Sequence, residues 1–143
     1  MGFTTPCFIR KNTPEIRKKL DKLGYNYNYI ADFRHDIIYV DAERNEFFPT
    51  FSSNITDDEI AIDCETNEEL FLAISALRDD TDQFQLFTNG NGDWGRWVDD
   101  TNHGGLSGME FYGFPNDLNM KNYHKATVNE LIEHFKEKEW KHM

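Results

Sequence analysis

The chain has 143 residues and a net charge of −11, with 29% charged and 38% hydrophobic residues, the latter rich in aromatics: twelve Phe, six Tyr and three Trp. A charge of this sign and size argues against non-specific binding to nucleic acid or to an anionic membrane, because the phosphate field that attracts lysine repels such a surface. The length suits one domain over residues 1–143, burying roughly two-thirds of the surface its unfolded form would expose.

In chain order, residues 7–9 read as a short strand. Asn12 or Thr13 then caps a helix over Pro14–Leu23, with Pro14 in the favoured first position. Ile16, Leu20 and Leu23 form its buried stripe, Arg17, Lys18, Lys19 and Lys22 its outer face, and Gly24 its left-handed stop. Short β-branched or aromatic runs at 25–29, 37–40, 47–51 and 60–62 follow as strands. Pro49, which has no N–H to give, places its strand at an edge. Thr66 and Glu69 have the spacing of a capping box for a second helix over 67–78, apolar nearly all round and therefore central. Strands are expected again at 84–87 and at 109–112, the latter inside a glycine-rich, irregular stretch from 89 to 123. Thr127 and Glu130 open a third helix over 128–138, which buries Val128, Leu131, Ile132 and Phe135. The order implies an α+β fold: a single domain with a mostly antiparallel sheet of about five to seven short strands and three helices.

The runs CFIRKNTPEIRKKL (7–20), DCETNEELFLAISALRDD (63–80) and KATVNELIEHF (125–135) resemble those of short uncharacterised proteins of gut bacteria and their phages or mobile elements. The resemblance covers the three helices and carries over no functional residue. What it implies is an accessory protein of a kind that often acts by binding another protein.

No export signal is apparent at residues 1–6, and no stretch approaches the ~20 apolar residues of a membrane span, so a cytoplasmic protein without membrane contact is expected. Cys7 and Cys64 are the only cysteines, too few for a disulfide framework. Cys64 reads as a small buried strand residue, since Asp63 and Glu65 beside it oppose a reactive thiolate.

Charge is distributed unevenly. Residues 23–120 contain no lysine and set twenty carboxylates against four arginines, a balance of −16, while all nine lysines lie outside. Asp79, Asp80 and Asp82 follow the second helix, whose C-terminus already carries about half a negative charge. Either Arg78 compensates them in a solvated turn, the ordinary reading of a charge run, or they are weak candidates for holding a hard cation. Asn89, Gly90, Asn91, Gly92 and Asp93 imitate a calcium loop with Asp100 further on, but Trp94 stands where glycine is required, and a hairpin turn is the expected reading. His35, His103, His124, His134 and His142 include no pair four apart on a helix, and His134 between Glu133 and Phe135 reads as a solvated helix position.

These features point to a non-catalytic acidic protein that inhibits or regulates a basic, nucleic-acid-handling protein partner without itself touching nucleic acid. Its contact candidates are Asp79, Asp80, Asp82, Trp94, Trp97, Asp99 and Asp100, and no cofactor is implied. Two alternatives remain: a small metal-dependent enzyme using Asp79, Asp80 and Asp82, and a ligand-binding module walled by Trp94, Trp97, Phe111 and Tyr112.

Overall fold

The computed structural model describes residues 2–28, 35–51, 55, 61–98, 109–117 and 119–141, and only the backbone of 120 and 137–141. Asp99, Asp100, His103 and His142 lie outside the described residues. The elements run β1 (Cys7–Ile9), α1 (Pro14–Leu23), β2 (Asn26–Tyr27), β3 (Ile37–Asp41), β4 (Glu46–Thr50), β5 (Ile62–Asp63) and α2 (Glu68–Ser75). They continue with β6 (Leu86–Thr88), β7 (Trp94–Trp97), β8 (Met109–Phe111), a 3₁₀ turn (Met120–Asn122), β9 (His124–Lys125) and α3 (Val128–Lys141).

The α+β class and the three helices are as expected, but the strands form two sheets rather than one. Five strands in the order β2-β4-β3-β1-β5 make the first, and β8-β7-β6-β9, antiparallel throughout, make the second. In the first sheet β3 lies antiparallel to both β1 and β4, while the two outer pairs, β1/β5 and β2/β4, are parallel. Alternation along β1, β3 and β4 sends Cys7, Ile9, Ile38, Val40 and Phe47 to one face. There they join Ile16 and Leu20 of α1, Leu70, Phe71 and Ile74 of α2, and Leu131 of α3 in a single buried cluster. On the opposite face Phe8, Tyr39 and Phe48 stack across three strands, with centroids 6.1 and 5.2 Å apart.

Pro49 is not on an edge strand, because β2 flanks β4 on its outer side. Its missing N–H has a different consequence. The N–H groups of Asn26 and Asn28 donate to Asn45 and Phe47 across the parallel pair, and the next rung would need an N–H from Pro49, so the β2/β4 ladder stops there.

The helix caps show which side chain wins when neighbours compete. Thr13 Oγ1 accepts from the Ile16 N–H at 3.3 Å, while Asn12 donates to the His35 carbonyl at 2.8 Å and accepts from Arg17, so Thr13 is the cap of α1. At α2 the cap is Asn67, not Thr66: Asn67 Oδ1 accepts from the Leu70 N–H at 3.1 Å. The cause is the preceding turn, in which Asn67 N–H donates to the Cys64 carbonyl and Glu65 takes φ +54°, leaving Thr66 in the turn and outside the helix. At α3 the capping box is complete, with Glu130 N–H donating to Thr127 Oγ1 at 3.2 Å and Thr127 N–H to Glu130 Oε1 at 3.0 Å.

Asn67→Ala should therefore cost about 1 kcal/mol in urea denaturation, whereas Thr66→Ala should change stability by less than about 0.5 kcal/mol. Equal losses at the two positions would contradict the observed cap.

Candidate functional site

The acidic exit of α2 is tied down by cations from two directions. Arg78 donates Nε and Nη2 to the two oxygens of Asp80 at 2.9 and 2.7 Å. This fork holds the Asp80 carboxyl at about 2, well below its ordinary 3.8. The same guanidinium lies 4.4 Å above the Phe3 ring, which stacks on Tyr25 at 4.0 Å. Lys125 of β9 reaches across to pair with Asp82 at 3.1 Å and to donate to the carbonyls of Arg78 and Thr81 at 2.9 and 2.7 Å. Buried Gln85 completes the closure: it accepts from the Arg78 N–H at 2.8 Å and donates to the Ala76 carbonyl at 3.0 Å.

The three aspartates thus go separate ways, Asp80 to Arg78, Asp82 to Lys125, and Asp79 toward a groove of its own. Among the described residues no group of three His, Cys, Asp or Glu is placed to hold a metal ion. The 89–93 segment is the expected hairpin turn between β6 and β7. Asn89 Oδ1 accepts from the N–H groups of Asn91 and Asp93, and Gly90 and Gly92 take φ +79° and +103°. Buried Asp93 accepts through Oδ2 from Asn89 Nδ2 and from the backbone of Asn116 and Asp117 at 3.0–3.2 Å, so its carboxylate fastens a loop. Cys64 is buried, and its contact with the Cys7 thiol and its burial both push its pKa up, away from a reactive thiolate.

The aromatic walls do not form one pocket. Trp94 and Trp97 are three apart on β7 and project to opposite faces of the second sheet. Trp97 and Phe111 share a face, where Trp97 lies 6.1 Å from Phe87 and Phe111 lies 5.7 Å from Tyr123. Tyr112 is exposed at the end of β8. Trp94, on the other face, stacks on His134 of α3 at 4.2 Å, so His134 is half-buried against an indole and is not the solvated position its helix neighbours suggested.

Two concave places stand out among the described residues. One, about 520 Å³, lies beside the N-terminal segment and the β3–β4 turn, where Asp41, Glu43 and Asp79 line it together with Phe3 and Tyr39. The other, about 310 Å³, lies between the 89–93 turn and the start of α3 and is lined by Trp94, Glu130, Glu133 and His134. At its rim His124 Nε2 contacts both oxygens of Glu130 at 2.8 and 3.0 Å. Desolvation pushes the Glu130 carboxyl up, but its bonds to Thr127 and His124 outweigh this and hold it below its ordinary value. Of the residues singled out from sequence, Asp79 belongs to the first groove and Trp94 to the second. Asp41, Glu43, Tyr39, His124 and Glu133 carried no motif; only the capping box placed Glu130. No family model, curated protein or solved structure matches this chain.

Lys125→Met should destabilise the protein by about 2 kcal/mol, because two carbonyls and a carboxylate lose a charged donor. Asp82→Asn should cost less than about 1 kcal/mol, as an exposed partner of an ion pair does. Asp80 carries a second signature: its depressed pKa stabilises the fold above pH 3.8, and this contribution is lost as the pH falls through about 2. Acid titration of Asp80→Asn, followed by circular dichroism, should show a shallower loss of stability across that window than the unmodified protein.

Proposed function

We propose that this chain is a non-catalytic acidic interaction protein that inhibits or regulates a basic partner, one of the nucleic-acid-handling kind. The observation that supports this best is the 520 Å³ groove, in which Asp41, Glu43 and Asp79 share a concave surface with Tyr39 and Phe3. Among the described residues the only cation paired with these acids is Arg44, 3.8 Å from Asp41 and itself largely exposed. Carboxylates gathered in a concavity focus their field and raise the local concentration of cationic groups. Half-buried Tyr39 beside them adds contact area for the stem of a long cationic side chain. The resemblance of the three helices to short proteins of gut bacteria and their phages or mobile elements fits an accessory protein encoded by such an element and acting by protein contact. A cytoplasmic setting is in keeping with two free, buried cysteines; among the described residues no helix is long and apolar enough to cross a membrane.

An oligoarginine peptide offers a direct probe. Calorimetric titration should show binding that weakens at least about tenfold between ~50 and ~300 mM salt, as expected for steering by exposed charge. The Asp41→Asn, Glu43→Gln, Asp79→Asn triple variant should weaken it further at low salt. Binding that ignores both salt and the triple variant would overturn the reading.

A further inference from the structure

We infer that the 310 Å³ groove between the 89–93 turn and α3 is a pocket for one arginine side chain of a protein partner. This rests on the reading of the chain as a binder of basic proteins, and gives that reading a specific anchor.

The volume lies at the small end of ligand pockets and suits a single long side chain. Among the described residues no lysine or arginine lines it, while Glu130 and Glu133 both do, so a cation is favoured there over an anion. The two carboxylates differ in role. Glu130 is fixed by His124 and by the Thr127 N–H, and its Oε2 comes within 4.0 Å of where a side chain on Gly90 would begin, at the groove mouth. Glu133, three residues on and therefore on the same side of α3, is exposed and stands in no ion pair among the described residues. One fixed and one adjustable acceptor beside a flat wall suit a planar fork of donors better than a compact ammonium.

The wall is Trp94, held flat by the 4.2 Å stack with His134 and packed against the main core. A guanidinium against the exposed part of this indole adds apolar contact along its stem to its ion pair. The facing turn is also set in advance: Asp93 accepts three N–H groups, and a Cβ on Gly92 would meet nothing within 4 Å, so the mouth stays open. A pocket fixed before binding loses little conformational freedom on taking its ligand.

The test is titration of the full chain with N-acetyl-arginine amide, followed by the amide signals of Gly90 and Gly92 and the indole N–H of Trp94. Saturable shifts at these three signals are expected, absent with the neutral citrulline analogue, and Glu133→Gln should weaken the arginine probe about three- to fivefold, the scale of an exposed charge pair. Glu133 takes no part in the cap of α3, so the variant should fold as the parent does, which a thermal melt checks. Silence at all three signals, an equal response to citrulline, or unchanged affinity in Glu133→Gln overturns the pocket. Oligoarginine that binds through Asp41, Glu43 and Asp79 while Gly90 and Gly92 stay silent would sink the pocket and leave the broader reading standing. Arginine amide filling the pocket while oligoarginine ignores the triple variant would sink the groove on which that broader reading rests.

Discussion

The fold depends on how the exit of α2 is closed. A helix end leaves its last carbonyls without partners, and here a cluster of aspartates adds further negative charge at the same place. The carbonyls of Ser75 and Ala76 are taken by Tyr25 and Gln85, while the Lys125 ammonium holds the acidic turn beyond them, donating to the carbonyls of Arg78 and Thr81 and pairing with Asp82. Because Lys125 belongs to β9 of the second sheet and α2 packs on β1 of the first, the same contact joins the two halves of the molecule. Arg78 extends the joint by pairing with Asp80, covering Phe3 and bridging to the N-terminal segment, where a Cβ on Gly2 would collide with that ion pair. Tyr25 closes it from below by donating its hydroxyl to the Ser75 carbonyl at 2.7 Å, and burial pushes its phenol well above the ordinary value.

This closure changes the meaning of the lysine-free middle. In sequence the acids and the lysines are segregated; in space the flanking cations fold back onto the acids. Lys125 takes Asp82, Lys11 approaches Glu68 at 3.5 Å, and Arg10 grips Asp63 with two nitrogens at 3.0–3.3 Å. Three of the twenty acids are met in this way, so the stretch keeps most of its negative charge, and where a partner would be attracted depends on how the remaining acids are grouped. Among the described residues, acids gather in two concave places, the groove of Asp41, Glu43 and Asp79 and the groove of Glu130 and Glu133.

The helices were legible because their signals are local: a capping side chain, a glutamate three residues later and an apolar residue recurring every four. Even so, the capping box pointed to Thr66 where the cap is Asn67, because the preceding turn contains a left-handed Glu65 that no propensity announces. The second sheet was obscured for a related reason. Its strand β7 carries Gly95 at the centre, a residue that weakens a strand in isolation, yet here Met109 of β8 lies across it, and a Cβ would come within 2.8 Å of the Met109 sulfur. The glycine is a packing requirement between strands, visible only once both are in place. The aromatic pocket failed on parity, since two tryptophans three apart on a strand cannot share a face, and that strand had been read as loop. Of the grooves, sequence could supply single members such as Asp79 and Trp94, but not their neighbours, which come from segments up to 76 residues away, as Phe3 and Asp79 do.

The energetics of exposed charge decide what such grooves can contribute. A solvent-exposed carboxylate paired with an incoming cation is worth about 0–1 kcal/mol, so neither groove can hold a partner by ion pairs alone. Electrostatics set the sign of the partner and the speed of encounter, and the bound lifetime must come from desolvated contacts. That requirement gives the aromatic side chains their weight. Tyr39 in one groove and the Trp94–His134 stack in the other are already held by packing, so they offer apolar area without further loss of conformational freedom. Acid beside a fixed aromatic in a concave place is the combination that the two grooves share.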